Sequence, residues 1–353
     1  MGFERAGFQI IWTNECDSII AKLHSAGITS WRKSRGNGSR AEIFNTKPIE
    51  EINTKEIINE AFPNGKPKHF GIIGGPPCQD FSVNGSRKGF KGIRGKLMVI
   101  FIEKILELKP TFFLIENVHG LLQYKSHREF MFELLDRLRL LYSIDHKILN
   151  ALDFGVPQSR ERVFFIGIRK DFVAKEYRKK QAHNGFFPWP ESKVYTNSLY
   201  KFNWPISKPF GTKISKAQDI PLELCVESCL IPTSNEKLVP NASEYFNIYK
   251  DLDSLKQISE GETNRSSFKR LHRFRYSPTA CYGNNEVHLH PYKNRRLSVR
   301  EALRIQSVPD EYVLPSDLPL SKKFKMIGNG VPVLLAEAVA SSIKQYFIIR
   351  KFH

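Results

Sequence analysis

The sequence predicts an α/β fold: a mainly parallel sheet covered by helices on both faces, with a second, smaller and irregular domain. Through the first 168 residues, short apolar runs alternate with helical periodicity, the pattern of strands joined by crossover helices. From about Lys170 the pattern changes. Residues 175–295 are rich in Pro, Asn, Ser, Lys and aromatics, and Pro188, Pro190, Pro205, Pro209, Pro221, Pro232 and Pro240 interrupt any long helix. Regular structure returns near Ser298. The chain therefore reads as residues 1–168, the first part of an α/β domain; 169–296, the irregular domain; and 297–353, a segment returning to the first.

Taken in order, Phe8 to Trp12 reads as a short strand and Asp17 to Ala26 as a helix. His69 to Gly74 is a short apolar strand ending in Gly-Gly-Pro-Pro. Leu97 to Leu108 is apolar almost all round, which predicts a helix buried against a sheet. Thr111 to Ile115 is the next strand, Arg128 to Leu141 an amphipathic helix, and Arg162 to Ile168 a further strand. Beyond the irregular region come a helix over Ser298 to Gln306 and an apolar helix over Val331 to Phe347, the latter introduced by Gly328-Asn-Gly-Val-Pro332. There is no internal repeat.

The chain has 353 residues, with 54 Lys and Arg against 36 Asp and Glu, a formal charge of +18. Such a surplus suits a polyanionic partner, because each neutralised phosphate releases condensed counterions. No run of about 18 apolar residues predicts a membrane span, and the first residues carry no export signal. The expected setting is the cytoplasm. Five cysteines, at 16, 78, 225, 229 and 281, are odd in number and scattered, which argues against a disulfide framework. Cys225 and Cys229 are four apart with no second ligand pair nearby, so no metal site is expected.

Three segments carry candidate chemistry. Cys78 lies in Gly74-Gly-Pro-Pro-Cys-Gln-Asp-Phe-Ser82, directly after an apolar strand, and ligands bind beyond the carboxyl ends of strands in open parallel sheets. A cysteine there is either a reactive thiol or a small buried hydrophobe. Glu116 ends the next strand and projects at the same sheet edge. Facing a closed pocket, its pKa would rise; in an exposed loop it would be an ordinary carboxylate. Arg160 and Arg162, in Gln158-Ser-Arg-Glu-Arg162, are two apart on an extended chain and face one way. They either bind a phosphate or the polar edge of a base, or form a charged strand entry.

The order of these segments resembles the cytosine-5 DNA methyltransferase family. The resemblance runs through Pro-Pro-Cys-Gln at 76–79, Glu-Asn-Val at 116–118, Gln-x-Arg-x-Arg at 158–162, Arg296-Leu-Ser-Val-Arg-Glu-Ala-Leu-Arg-Ile-Gln306 and Gly328-Asn-Gly-Val-Pro332. Asn14-Glu15 and Arg94-Gly-Lys-Leu97 fall where lesser family motifs do. It implies a Rossmann-like fold that uses S-adenosylmethionine, contacted by Glu15, Pro77, Leu97 and Asn329. It implies Cys78 as the nucleophile at C6 of a flipped cytosine, Glu116 at N3 and the amino group, Arg162 at the C2 carbonyl, and Arg160 supporting the loop. Gln79 to Gly95, with Gln79, Ser82, Arg87 and Lys88, would be the loop that closes over DNA. The central residues would be the target-recognition domain. The implied partners are double-stranded DNA, bound by a monomer, and a restriction endonuclease acting separately.

The chain departs from the family at the cofactor. The usual first strand and its Phe-x-Gly-x-Gly loop are not matched, since Gly2 to Phe8 corresponds only to the helix and turn that follow. Lys47-Pro48-Ile49 stands where Gly-Asp-Ile is usual, and Cys16 stands where a stacking aromatic is common. Of the explanations, a start codon placed too late is preferred over a truncated inactive gene, a piece supplied by another chain or a divergent form. The rival functions are an RNA cytosine-5 methyltransferase and a DNA-binding remnant without catalysis. A cysteine hydrolase would need a histidine beside Cys78, and nothing in the sequence places one there.

Overall fold

Strand and helix alternate through the first half, and the computed structural model describes residues 1–36, 43–77, 93–175, 185–248, 252–282 and 287–349. The order is α1 (Gly2–Arg5), β1 (Trp12–Asn14), α2 (Ser18–Ser34), β2 (Ile43–Asn45), α3 (Thr54–Ala61), β3 (Gly71–Gly74), α4 (Ile93–Leu108), β4 (Phe112–Val118), α5 (Gly120–Gln123), α6 (Lys125–Leu138), β5 (Tyr142–Asn150) and β6 (Glu161–Arg169). Asp17 caps α2 by accepting from the Ile19 and Ile20 amides. The helix runs on past the expected end at Ala26, because Gly27 lies under the Tyr312 ring and the turns beyond it bury Ile28 and Trp31.

The sheet is mixed rather than mainly parallel. Its four-stranded part has the order β3–β4–β6–β5. β3 runs parallel to β4, but β6 is antiparallel to both β4 and β5. β5, which the sequence reading passed over, accounts for the difference. Only ten residues separate Asn150 from Glu161, too few for a crossover helix, so β6 returns alongside β5 in the opposite sense. β1 and β2 form a separate parallel pair. Among the described residues no strand lies on the β3 edge away from β4 or on the β1 edge away from β2. Trp12 of β1 and Ile72 of β3 nevertheless pack against one apolar cluster, that of Ile52, Ile57 and Leu108.

Both faces of the sheet are covered, and the middles of β4 and β6 are accordingly apolar on both sides. Phe112 and Leu114 of β4, with Phe164, Ile166 and Ile168 of β6, face one core. Phe113 and Ile115, with Val163 and Phe165, face the other, against α4 and α6.

Among its described residues the irregular region contains short elements: α7 (Ser198–Lys201), α8 (Leu252–Lys256), β7 (Lys269–Arg270) and β8 (His288–Leu289). Three helices follow, α9 (Val299–Ile305), α10 (Leu320–Asn329) and α11 (Val333–Ile349). Leu335, Val339, Ala340, Ile343 and Tyr346 of α11 join the first core beside Phe3 of α1. Gly2 makes this contact possible, since a Cβ there would sit 2.6 Å from that of Ala336. By length and composition Leu320–Ile349 is apolar enough to cross a membrane. It is nonetheless two helices broken around Gly330 and Pro332, and its apolar residues supply the sheet's cover.

Cys225 and Cys229 are buried, and burial pushes both thiols up to about 12.

Candidate active site

β4 and β6 build the centre of the site. In their antiparallel register Glu116 lies opposite Phe164, and Arg162 lies opposite Val118. Glu116 and Arg162 are therefore diagonal neighbours on one face of the sheet, within reach of each other. Arg162 Nε lies 2.9 Å from Glu116 Oε1, and both side chains are largely buried. The face is the one that carries Leu114 and Phe164 into the first core, so the ion pair lies where the apolar packing ends. Burial pushes the Glu116 carboxyl above the ordinary carboxylate range, and the charges of Arg162 and Arg160 pull against it.

β3 brings the backbone that leads to Cys78 against this pair. Gly75, just past the strand, approaches Glu116 so closely that a Cβ would meet Oε2 at 2.8 Å. Asn117 Nδ2 donates to the Pro76 carbonyl at 3.1 Å, while Asn117 Oδ1 accepts from the Val118 amide. The Glu-Asn-Val segment thus carries the Glu116 carboxyl and, through Asn117, holds the turn beyond β3. Pro77 is exposed at the end of that turn. Cys78, Gln79, Ser82, Arg87 and Lys88 lie outside the described residues.

Arg160 plays a different part from Arg162. It is 1% exposed, and its guanidinium donates to the Gly328 carbonyl at 2.9 Å and the Ala280 carbonyl at 3.3 Å. Burial and the nearby Arg162 push it down, to about 9, with Glu116 opposing, so it stays charged at neutral pH. It ties β6 to the end of α10, one residue before Asn329. Gln158 extends the tie: its Oε1 accepts from the Ala280 amide, and its Nε2 donates to Gln306 Oε1. Gln306 in turn donates to the Ile327 carbonyl. Gly75, Asn117, Gln306 and the 277–281 segment are the contributors that sequence reasoning underused. Gly75 was visible as an extra glycine before the prolines, but which group approached it was not.

The expected cofactor residues fall at the same end of the fold. Glu15 directly follows β1, and its Oε1 accepts from the Asp17 amide at 2.9 Å. The carboxylate is half-buried and keeps acceptor capacity for hydroxyl groups, as a strand-end acid in a nucleotide-binding fold does. Leu97 lies in the first turns of α4, and Asn329 is exposed at the end of α10. The free acceptor capacity of Glu15 suits the hydroxyl groups of an adenosyl ligand. Lys47 is held by Glu56 at 2.5 Å, and Asn45 and Trp12 both bond to Glu60.

Residues 1–345 match the family model described as C-5 cytosine-specific DNA methylase. The Type II methyltransferase M.NmeDI of Neisseria meningitidis serogroup C is 39% identical over 98% of this chain and 80% of its own length. M.FnuDI of Fusobacterium nucleatum is 32% identical over 98% and 90%. In fold, the chain resembles a DNA modification methyltransferase encoded within an Escherichia coli prophage, with a TM-score of 0.66 and 24% identity, covering 98% of this chain and 95% of that one. It also resembles the Dnmt2 methyltransferase of S. pombe, with a TM-score of 0.57 and 13% identity over 99% and 95%. With a family model spanning almost the whole chain and a relative 39% identical along it, the chain belongs to the C-5 cytosine-specific DNA methylase family.

Proposed function

We propose that this chain methylates C5 of a cytosine flipped out of a specific duplex sequence, and so protects that DNA from a separately acting restriction endonuclease. The observation that carries the reading is the Glu116–Arg162 pair, held against Gly75 three residues before Cys78. C5 of cytosine is a poor nucleophile. Addition of the Cys78 thiolate to C6 moves an electron pair into the ring and makes C5 enamine-like. Glu116, biased by burial toward its protonated form, donates to N3 and takes up the developing charge there. Arg162 binds the C2 carbonyl. S-adenosylmethionine, when bound, supplies an electrophilic methyl group. After methylation, loss of the C5 proton and cleavage of the C6–S bond restore the ring and the thiolate.

Glu15 would hold the ribose hydroxyls of that cofactor, with Pro77, Leu97 and Asn329 around the rest. Arg160 acts through backbone, fixing Gly328 and therefore Asn329, and is a positioning residue. Gln79, Ser82, Arg87 and Lys88 would close over the DNA as a monomer binds it in the cytoplasm. Residues 169–296 would read the sequence. The test is transfer of a labelled methyl group to unmodified duplex DNA and, in parallel, to transfer RNA. Label in cytosines of DNA alone is the expected result. Label in RNA alone would establish the RNA enzyme instead, and DNA binding without S-adenosylmethionine binding would establish a remnant.

A further inference from the structure

We propose that Lys193 to Lys213 form a DNA-contacting surface of the recognition region, its lysines meeting phosphates and Tyr200 and Ile206 meeting bases. This rests on the reading of the chain as an enzyme acting on duplex DNA.

Between Glu191 and Asp219 the chain carries five lysines and no Asp or Glu. Lys201 and Lys216 donate to carbonyl oxygens, Lys201 also lying over the Phe202 ring, and Lys193, Lys208 and Lys213 are exposed and form no ion pair among the described residues. Interleaved with them are large apolar side chains left in solvent: Tyr200 is 86% exposed, Ile206 72% and Val194 61%. All three lie on one short segment, between the same lysines. Cationic side chains suit the phosphates of a polyanion, and apolar side chains between them suit the base edges and thymine methyl groups that its grooves expose. Duplex DNA is the polyanion that the family acts on.

The strip is anchored to the reacting edge of the sheet. The Ser198 amide donates to Asp153 Oδ1 at 2.9 Å, which fixes α7 on the turn between β5 and β6. Trp204 Nε1 donates to the Ser198 carbonyl, and its ring meets that of Tyr276 edge-on with centroids 4.9 Å apart. The next residue, Ser277, pairs with Gln158 and Ser159. The strip is thus two contacts from the segment that carries Arg160 and Arg162. Since β6 starts where β4 ends, that turn lies at the same sheet edge as Glu116.

Two variants test the proposal on the full chain: Lys193→Ala/Lys208→Ala/Lys213→Ala together, and Tyr200→Ala alone. A control removes Lys66, Lys68 and Lys104 near the opposite sheet edge. Binding to unmodified plasmid DNA is measured across salt concentrations, alongside S-adenosylmethionine binding and the thermal midpoint. For the triple variant, affinity should fall at least about tenfold near physiological salt, and the log–log salt slope should shrink by roughly 2 to 3. Tyr200→Ala should weaken binding with the slope retained. The control, the midpoint and cofactor binding should stay as in wild type. Unchanged affinity and slope in the triple variant would overturn the proposal. If wild type binds DNA but methylates nothing, the catalytic reading fails while these binding comparisons still decide the surface.

Discussion

Glu116 is the residue on which burial and chemistry meet. Its proton is held more tightly in the folded chain than in the unfolded one, because desolvation outweighs the nearby guanidinium charges. The folded state then binds more protons between the ordinary carboxylate value and the raised one, so this group's contribution to stability falls as pH rises through that window. Denaturant unfolding of wild type and Glu116→Gln at a series of pH values should show wild type losing stability relative to the variant there, with the difference constant above. The opposite slope would mean that the Arg162 pair dominates. Gly75 supplies a second test. Gly75→Ala puts a methyl group 2.8 Å from Glu116 Oε2, whose partner oxygen Arg162 holds. A displacement of that order at a reacting group should cost about 10²-fold in methyl transfer, with near-wild-type unfolding in denaturant. The carboxylate and both arginines were legible in the sequence, because motif and strand-end position agree. The division of labour between Arg160 and Arg162 was not, since it depends on which carbonyls the fold brings to a buried guanidinium.

Among the elements, α9 is tied to the irregular region through one buried carboxylate. Glu301 closes a capping box with Ser298 and also receives both Arg295 amino groups, at 2.7 and 2.9 Å, and the Ile231 amide. Arg295 and Lys293 share Glu236 in addition. Removing one member of a buried charge network leaves the others without compensation, so Glu301→Ala should destabilise the chain by about 3 to 5 kcal/mol in denaturant titration. A loss under 1 kcal/mol would show that the network is dispensable. Gly27 in α2 offers a test against propensity. Alanine is ordinarily the better helix residue by up to about 1 kcal/mol. Here its Cβ would lie 2.2 Å from the Tyr312 ring, and overpacking should instead cost roughly 1 to 3 kcal/mol. The same contact explains why local reading stopped α2 early. The glycine that reads as a helix end is a packing site for a residue 285 positions away. β5 was missed for a related reason: Asp145, His146 and Lys147 break its apolar run, and Asp145 is buried only because it accepts the Gly185 and Phe187 amides.

At the scale of the whole molecule, the sheet brings distant segments to one edge. Glu116, Arg162, the turn toward Cys78 and Asn329 at the end of α10 come together there because β3, β4 and β6 finish or begin at that edge, and α11 packs back beside α1. The alternation of strand and helix made the α/β class legible, and the order of the motifs made the family legible. The antiparallel pairing of β6 could not be read, because it follows from the shortness of the connection after a strand that was itself hidden. The packing of the irregular region depends on buried ion pairs such as Arg273–Glu260, whose partners sequence spacing does not disclose. The central claim is that Cys78 adds covalently to the target cytosine. It is tested most directly by incubating the chain with S-adenosylmethionine and duplex DNA in which 5-fluorocytosine replaces cytosine, then mapping any protein–DNA adduct by mass spectrometry. Fluorine cannot leave C5 as a proton does, so wild type should be trapped with DNA linked at Cys78, and Cys78→Ser should bind the DNA without forming the adduct. Wild type that methylates ordinary DNA but forms no adduct, or an adduct at another residue, would contradict the mechanism.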